Sequence, residues 1–362
     1  MKSRSTIARC IGGALALAFA FGSTTLVAQH GKTGYLQHNL VSDGAISADH
    51  IDANLVNAWG IAFNPFGFVW VANNGTGTST LYDGDGNPQS LVVNIPTPTA
   101  DSGGNPTGIV FNASSGFVVT TTTGSGPSRF IFVTEDGVVA GWSPSADVTH
   151  AVMAVDNSAS GAIYKGVALS GGGNGQLLYA TDFHNNKVDV FDSTFAPATL
   201  AGTFTDNTLP AGFAPFGIQA IGGDIYVTYA LQDADAKDEL HGKGLGYVDV
   251  YDPNGNLIRR VASRGVLNAP WGMALAPAGF GELSHSLLIG NFGDGHINAF
   301  DPFRGVPLGA LLSPDHNAIA IDGLWGIAFG NGFDNQPVNT LFFAAGPNDE
   351  ADGLYGRIDV QQ

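Results

Sequence analysis

Three polar residues stand at matching places, each closing an apolar run. Asn73 ends Phe68-Val69-Trp70-Val71-Ala72-Asn73, Asp182 ends Leu177-Leu178-Tyr179-Ala180-Thr181-Asp182, and Asn291 ends Leu287-Leu288-Ile289-Gly290-Asn291. Amide and carboxylate oxygens are hard donors suited to Ca²⁺ or another divalent cation. Asn73, Asp182 and Asn291, joined by Asp294, are therefore the candidate metal ligands. His184 lies two residues past Asp182. A carboxylate within reach could orient its imidazole and tune it for proton transfer, so Asp182 and His184 are the candidate catalytic pair. His241, in Glu239-Leu240-His241-Gly242-Lys243, has a similar setting. Turns use the same residue types, because Asn and Asp side chains bond their own backbone and tolerate left-handed conformations.

Other chemistry is excluded. The sole cysteine is Cys10, which leaves the rest of the chain without a thiolate nucleophile, a disulfide or a zinc–thiolate site. No Gly-x-Ser-x-Gly elbow occurs. Asp83-Gly84-Asp85-Gly86-Asn87 opens like a calcium loop, but Pro88 takes the position that needs glycine and Asn94 the position that needs glutamate. It aligns instead with the plain turn Asp252-Pro253-Asn254-Gly255-Asn256.

The elements that must position these residues follow from a repeat. A two-residue signature, any residue then glycine, recurs as Trp59-Gly60, Thr107-Gly108, Lys165-Gly166, Phe216-Gly217, Trp271-Gly272 and Trp325-Gly326, each opening an apolar stretch. The glycines are 48, 58, 51, 55 and 54 residues apart, the size of a four-stranded propeller blade. The apolar runs that follow read as strands buried on both faces. Further strands, such as Tyr247-Val248-Asp249-Val250-Tyr251, alternate, which predicts one wet face. No apolar 3.6-residue period persists past the first thirty residues. The fold class is all-β: a six-bladed β-propeller. The last repeat lacks an outermost strand, and Tyr35 to Val41 form a strand without a blade. We expect the last blade to be closed by this N-terminal strand.

In a propeller, the loops leading into the innermost strands and those joining second to third strands meet on one face around the axis. That face should carry Asn57, Lys165, Trp271 and Trp325 from the first set, and Asn73, Asp182, His184, Asp238, His241, Asn291 and Asp294 from the second. Three tryptophans at one repeat position point to packing around the inner strands, with a stacking platform for a ligand as the sharper possibility.

The repeat phrases resemble those of an uncharacterised family of secreted bacterial β-propellers. The resemblance is carried by Leu55-Val56-Asn57-Ala58-Trp59-Gly60-Ile61-Ala62, Val71-Ala72-Asn73-Asn74-Gly75-Thr76-Gly77, Phe132-Val133-Thr134-Glu135-Asp136-Gly137 and Gly290-Asn291-Phe292-Gly293-Asp294-Gly295. More loosely, the chain resembles NHL-repeat proteins and the gluconolactonase–regucalcin group. That second resemblance implies one divalent cation on the axis, held by a Glu, Asn and Asp set, with Asn73, Asp182 and Asn291 placed analogously. No axial glutamate clearly matches it in the sequence.

Residues 1–28 read as a signal peptide: Lys2, Arg4 and Arg9, a short apolar run, then small residues. Residues 29–362 then form a single propeller domain, exported to the periplasm or the medium. Loss of three basic residues would take the net charge from −17 to −20. Such a surface repels nucleic acid, and no later run is long enough to span a bilayer. The expected protein is a monomer that binds a small molecule, glycan or protein through its loop face. The alternative is a divalent-cation-dependent hydrolase or lyase with its site on the axis.

Overall fold

The computed structural model describes Met1 and residues 34–172 and 175–361. The signal-peptide reading lies outside these residues. The chain from Gly34 onward forms six antiparallel sheets, the blades of a β-propeller. Blade one runs Ala58–Phe63, Val69–Asn73, Thr78–Tyr82 and Pro88–Asn94. Blade two runs Pro106–Phe111, Phe130–Thr134, Val138–Trp142 and Val152–Asp156, and a small hairpin, Val118–Thr120 with Ser125–Pro127, is inserted after its first strand. Blade three has three strands, Tyr164–Gly172, Gly175–Asp182 and Lys187–Phe191. Blade four runs Phe213–Ile221, Asp224–Gln232, Tyr247–Tyr251 and Leu257–Ser263. Blade five runs Pro270–Leu275, Leu287–Asn291, Ile297–Phe300 and Pro307–Ala310. Blade six runs Leu324–Phe329, Leu341–Ala345 and Leu354–Gln361, and its outermost strand is Gly34–Ser42. That strand pairs antiparallel from Gly34 against Gln361 to Ser42 against Leu354, so the N-terminal strand closes the ring as expected.

The repeated glycine has a geometric cause. In every blade the ladder between first and second strands shifts register at the signature pair. The breaks fall between Ala58 and Ile61, Tyr164 and Gly166, Pro215 and Ile218, Pro270 and Met273, and Leu324 and Ile327, with the equivalent break between Phe132 and Thr134 in blade two. A bulge turns the side chain before the glycine out of the normal alternation. The glycine then faces the next blade. A methyl group on Gly60 would lie 2.6 Å from the Thr107 carbonyl oxygen, one on Gly166 3.0 Å from that of Phe216, and one on Gly326 2.6 Å from that of Trp59. Gly217 meets the Trp271 carbonyl and Gly272 the Trp325 carbonyl in the same way, and Gly108 lies against the Gly166–Val167 backbone. These contacts run right round the ring.

The second strands Val69–Asn73, Phe130–Thr134, Leu287–Asn291 and Leu341–Ala345 are buried at every position, and those of blades three and four over their central residues. Of the alternating strands, Lys187–Phe191 is exposed or half-buried up to Phe191, but Tyr247–Tyr251 and Ile297–Phe300 depart from expectation and are buried at every position, with no wet face. Their polar residues are enclosed by the protein instead. Asp249 is fully buried and meets Arg260, whose Nε lies 2.8 Å from its Oδ1, and the same guanidinium reaches Asp206. Outer strands and neighbouring blades cover faces that sequence alternation assigns to water.

The central channel is narrow. A cavity of about 30 Å³ lies among Gly60, Gly108, Gly272 and Gly326, room for roughly one water molecule. Adding a methyl at Gly217 drives it into the Trp271 carbonyl, with no flexible side chain to give way. We predict that Gly217→Ala lowers stability by about 3 kcal/mol, the upper range for overpacking, measured by urea unfolding. Wild-type stability in this variant would show that the blades can separate at the axis.

Candidate functional site

The bulges aim one side chain per blade at the axis, on the face where second strands hand over to third strands. These are Trp59, Thr107, Lys165, Phe216, Trp271 and Trp325. Four of them form an aromatic plug. Trp59 stacks on Trp325 with ring centroids 3.6 Å apart, Phe292 stacks on the other side of Trp325 at 3.9 Å, and Trp271 meets both tryptophans edge-on. Phe216 leans on Trp325 at 5.7 Å. Trp59 and Trp325 are fully buried, so the tryptophan series packs; only Trp271 keeps a partly open face.

Lys165 is the cation in this plug. Its side chain is 2% exposed, and its ammonium lies 5.2 Å from the Trp59 ring centre. Nζ donates to Glu135 Oε1 at 2.6 Å and to Asp238 Oδ1 at 3.2 Å. Burial alone would strip its proton, but the charges of Glu135, Glu239 and Asp238 outweigh this and hold the ammonium above its usual range. The hydrogen bonds continue from Glu135. Asn74 Nδ2 donates to Glu135 Oε2 at 2.9 Å, Asn57 Nδ2 to Asn74 Oδ1 at 3.3 Å, and Trp59 Nε1 to Asn57 Oδ1 at 2.8 Å. Trp271 Nε1 donates to the Lys165 carbonyl at 2.9 Å, tying blade five to blade three across the ring.

Around Lys165 stand three glutamates: Glu135 from blade two, Glu239 from blade four and Glu350 from blade six. The whole chain has four glutamates, the other being Glu282, so three of the four gather here. Each comes from the connection between second and third strands of an alternate blade. Glu350 is the least satisfied. Its Oε1 is shut off from solvent and has no hydrogen-bond partner among the described residues. Burial first, then the charge of Glu239, raises its carboxyl to about 7. The backbone that delivers it is strained: Asn348, Asp349 and Glu350 have φ of 57°, 53° and 64°, a single left-handed turn with Glu350 N donating to Gly346 O at 3.2 Å. Each such residue costs roughly 1–2 kcal/mol, and strain of this kind gathers at functional sites. His241 borders the cluster. It lies 3.4 Å from Glu239, whose hydrogen bond raises its imidazole, and packs edge-on to Phe292 at 5.0 Å.

The residues singled out as ligands lie elsewhere in their blades. Asn73 is buried, with Nδ2 donating to Thr78 and Thr80 at 3.1 and 3.0 Å. Asp182 is fully buried; Oδ1 accepts from the Ile163 and Asn185 amides, both at 3.2 Å, and Oδ2 from Asn185 Nδ2 at 2.8 Å. Asn291 Nδ2 donates to Val266 O at 2.7 Å and to Asp294 Oδ1 at 3.0 Å. Asp294 also accepts from the His296 amide. These side chains hold turns inside three separate blades. No hydrogen bond or ion pair links Asn73, Asp182 and Asn291 to one another among the described residues. Nor does any group of three or more His, Cys, Asp or Glu there have the arrangement of a metal centre. His184 is exposed, with Nδ1 3.3 Å from Ala236 O, and makes no hydrogen bond to Asp182. Asp83 builds a turn, its Oδ1 accepting from the Asp85 and Asn87 amides, both at 2.9 Å.

Removing the central cation should leave the carboxylates facing one another. We predict that Lys165→Met costs about 3–5 kcal/mol at pH 7.5, the penalty for breaking a buried pair. The loss should shrink at pH 5, where the stranded carboxyls take up protons, and in the double variant Lys165→Met/Glu135→Gln. Urea unfolding at the two pH values reads both effects; a pH-independent loss would mean that packing alone is affected.

No family model matches the chain. Solved structures share its fold at low sequence identity. A glucose dehydrogenase superposes with a TM-score of 0.54 at 14% identity, covering 90% of this chain and all of that one (100%). A protein of unknown function from Bacteroides thetaiotaomicron gives 0.53 at 14%, covering 91% of this chain and 77% of that one. A catalytically inactive virginiamycin B lyase from Staphylococcus aureus, solved with quinupristin, gives 0.50 at 14%, covering 90% and 99%. Two uncharacterised proteins of Acanthamoeba polyphaga mimivirus are similar in sequence. One is 35% identical over 331 residues, covering 89% of this chain and 80% of that protein. The other is 32% identical over 333 residues, covering 89% and 85%. The sequence resemblance to secreted bacterial propellers is thus met by viral relatives and by a fold shared with enzymes. The chain belongs to the same family as these mimivirus proteins, and that family folds as a six-bladed β-propeller.

Proposed function

We propose that the protein is an exported binding module whose loop face takes the cationic group of its ligand at the propeller axis. The observation that carries this reading is the charge imbalance of the plug: Glu135, Glu239, Glu350 and Asp238 stand around one buried ammonium, and one Glu350 oxygen lacks a partner. A second positive charge would complete the cluster. Trp271 and Phe292, both partly exposed, supply an aromatic surface beside it. The overall charge of −17 adds long-range attraction for a cation. The cation could be an ammonium or guanidinium on a small molecule, glycan or protein, or a free divalent ion such as Ca²⁺.

One observation favours a second reading, a hydrolase or lyase on the same axis. A carboxyl raised to about 7 is suited to general acid–base work, which gives that role to Glu350 rather than to Asp182 and His184.

The pH dependence follows with a definite sign. Glu350 keeps its proton up to about pH 7 when folded, against 4.5 for an unperturbed glutamate. The folded state therefore holds more protons between these values, and its stability falls as pH rises through them. Glu350→Gln should stabilise the protein at pH 8 by on the order of 2 kcal/mol relative to wild type, with little effect near pH 4.

Ligand binding should run the other way, tightening as Glu350 ionises. We expect benzylammonium chloride or CaCl₂, compared with NaCl at matched ionic strength, to raise the melting temperature more at pH 8 than at pH 6. At ten times Kd the gain is about 1.4 kcal/mol, and Glu350→Gln should abolish it. A response to benzylammonium alone marks an organic cation; a response to CaCl₂ alone marks a metal. Neither response at either pH would overturn the cationic-ligand reading.

A further inference from the structure

A second concave site lies at the opposite ends of the strands, between blades one and two. It encloses about 660 Å³, within the range of small-molecule sites, roughly 300–1,000 Å³. Its floor is aromatic and buried: Trp70 stacks on Phe130 at 4.1 Å and tilts against Trp142 at 4.6 Å. Its rim carries Phe66, which is 86% exposed, and Phe333, which is 40% exposed.

The loops that carry these rings are bonded to one another. Asn331 Nδ2 donates to the carbonyls of Asn64 and Gly67 at 2.6 and 2.8 Å, and Gln336 Nε2 donates to Gly67 at 3.3 Å. The loop bearing Phe333 is thus bonded to the loop bearing Phe66. The wall is formed before any ligand arrives, which removes much of the ordering cost of binding.

The remaining rim residue is Arg129. It is exposed, its one side-chain hydrogen bond is a long one to Ser114 O at 3.4 Å, and no carboxylate lies within 4.0 Å among the described residues. In a chain of net charge −17, an unpaired guanidinium at the mouth of an aromatic cavity selects against the charge that the rest of the surface attracts. A guanidinium binds a carboxylate through two parallel hydrogen bonds.

We propose that this cavity binds a small amphipathic carboxylate, with its flat apolar body against the exposed rings of Phe66 and Phe333 above the buried aromatic floor and its anionic head on Arg129. The site is separate from the axial cluster and does not depend on what binds there.

The test uses three probes of one shape: 1-naphthaleneacetate, 1-naphthaleneethanol and 1-naphthylmethylammonium, titrated by calorimetry into the intact protein. Charge-assisted hydrogen bonds should make the carboxylate bind about tenfold tighter than the alcohol, with one-to-one saturation. The ammonium should bind weakest despite the acidic surface. Arg129→Gln should bring the carboxylate to the affinity of the alcohol, Phe66→Ser should weaken carboxylate and alcohol alike, and Glu350→Gln should change neither. Both rim residues are exposed, and unchanged thermal unfolding of the two rim variants verifies that they fold. The proposal is overturned if the ammonium binds as tightly as the carboxylate, if Arg129→Gln keeps the preference, if no probe saturates, or if Phe66→Ser splits a dimer in sedimentation, which would make a second copy the occupant.

Discussion

The structure rests on one close approach. At each blade a glycine lies against the backbone of the next blade at the signature position, and the sixth returns to the first through Gly326 and Trp59. Only a residue without a Cβ permits it, and each bulge depends on it. The approach sets how near the innermost strands come to the axis. It leaves a cavity of about 30 Å³ beside the signature glycines, widening to about 240 Å³ further along the same strands. The two proposed sites lie on opposite faces of this ring and differ in chemistry, one acidic and one aromatic.

The same approach accounts for the electrostatics of the loop face. Crowded inner strands force the ring side chains upward into a plug that excludes water, and a charge inside such a plug acts strongly on its neighbours. Lys165 stays ionised there because carboxylates from blades two and four, Glu135, Glu239 and Asp238, stand around it. The strained turn at Asn348–Glu350 is maintained against its own conformational cost, and what it achieves is the delivery of a third glutamate to that point.

Much of the fold was legible because each blade solves the same packing problem with the same residues. The signature glycine, the doubly buried strand and the unmatched strand near Tyr35 each have one physical meaning, and the six-bladed ring follows. The site was less legible. Asn73, Asp182 and Asn291 recur because each ties neighbouring segments of its own blade: Asn73 bonds the Thr78 and Thr80 hydroxyls, and Asp182 and Asn291 bond the backbone of the loops leading into their first strands. Periodicity there recorded blade construction. The glutamates do not sit at one repeat offset. Glu135 follows its strand directly, Glu239 lies in a long connection and Glu350 ends a left-handed turn, so only closure of the ring brings them together. The available signal was scarcity, since a chain with four glutamates places three of them in one kind of loop. The buried third strands misled for a related reason: a pattern of alternation cannot show that Asp249 faces Arg260 rather than water.

The strap that completes blade six has a consequence for how the molecule is made. Gly34–Ser42 is made before any blade, and its partner Leu354–Gln361 is the last strand of the propeller to be made. Five blades can assemble as they appear, but the first strand must wait, unpaired and edge-exposed, for more than three hundred residues of synthesis. The latch is thus a clock. The ring cannot be locked until translation has passed blade six, and a chain cut before Leu354 is left with two open edges that any similar chain could join.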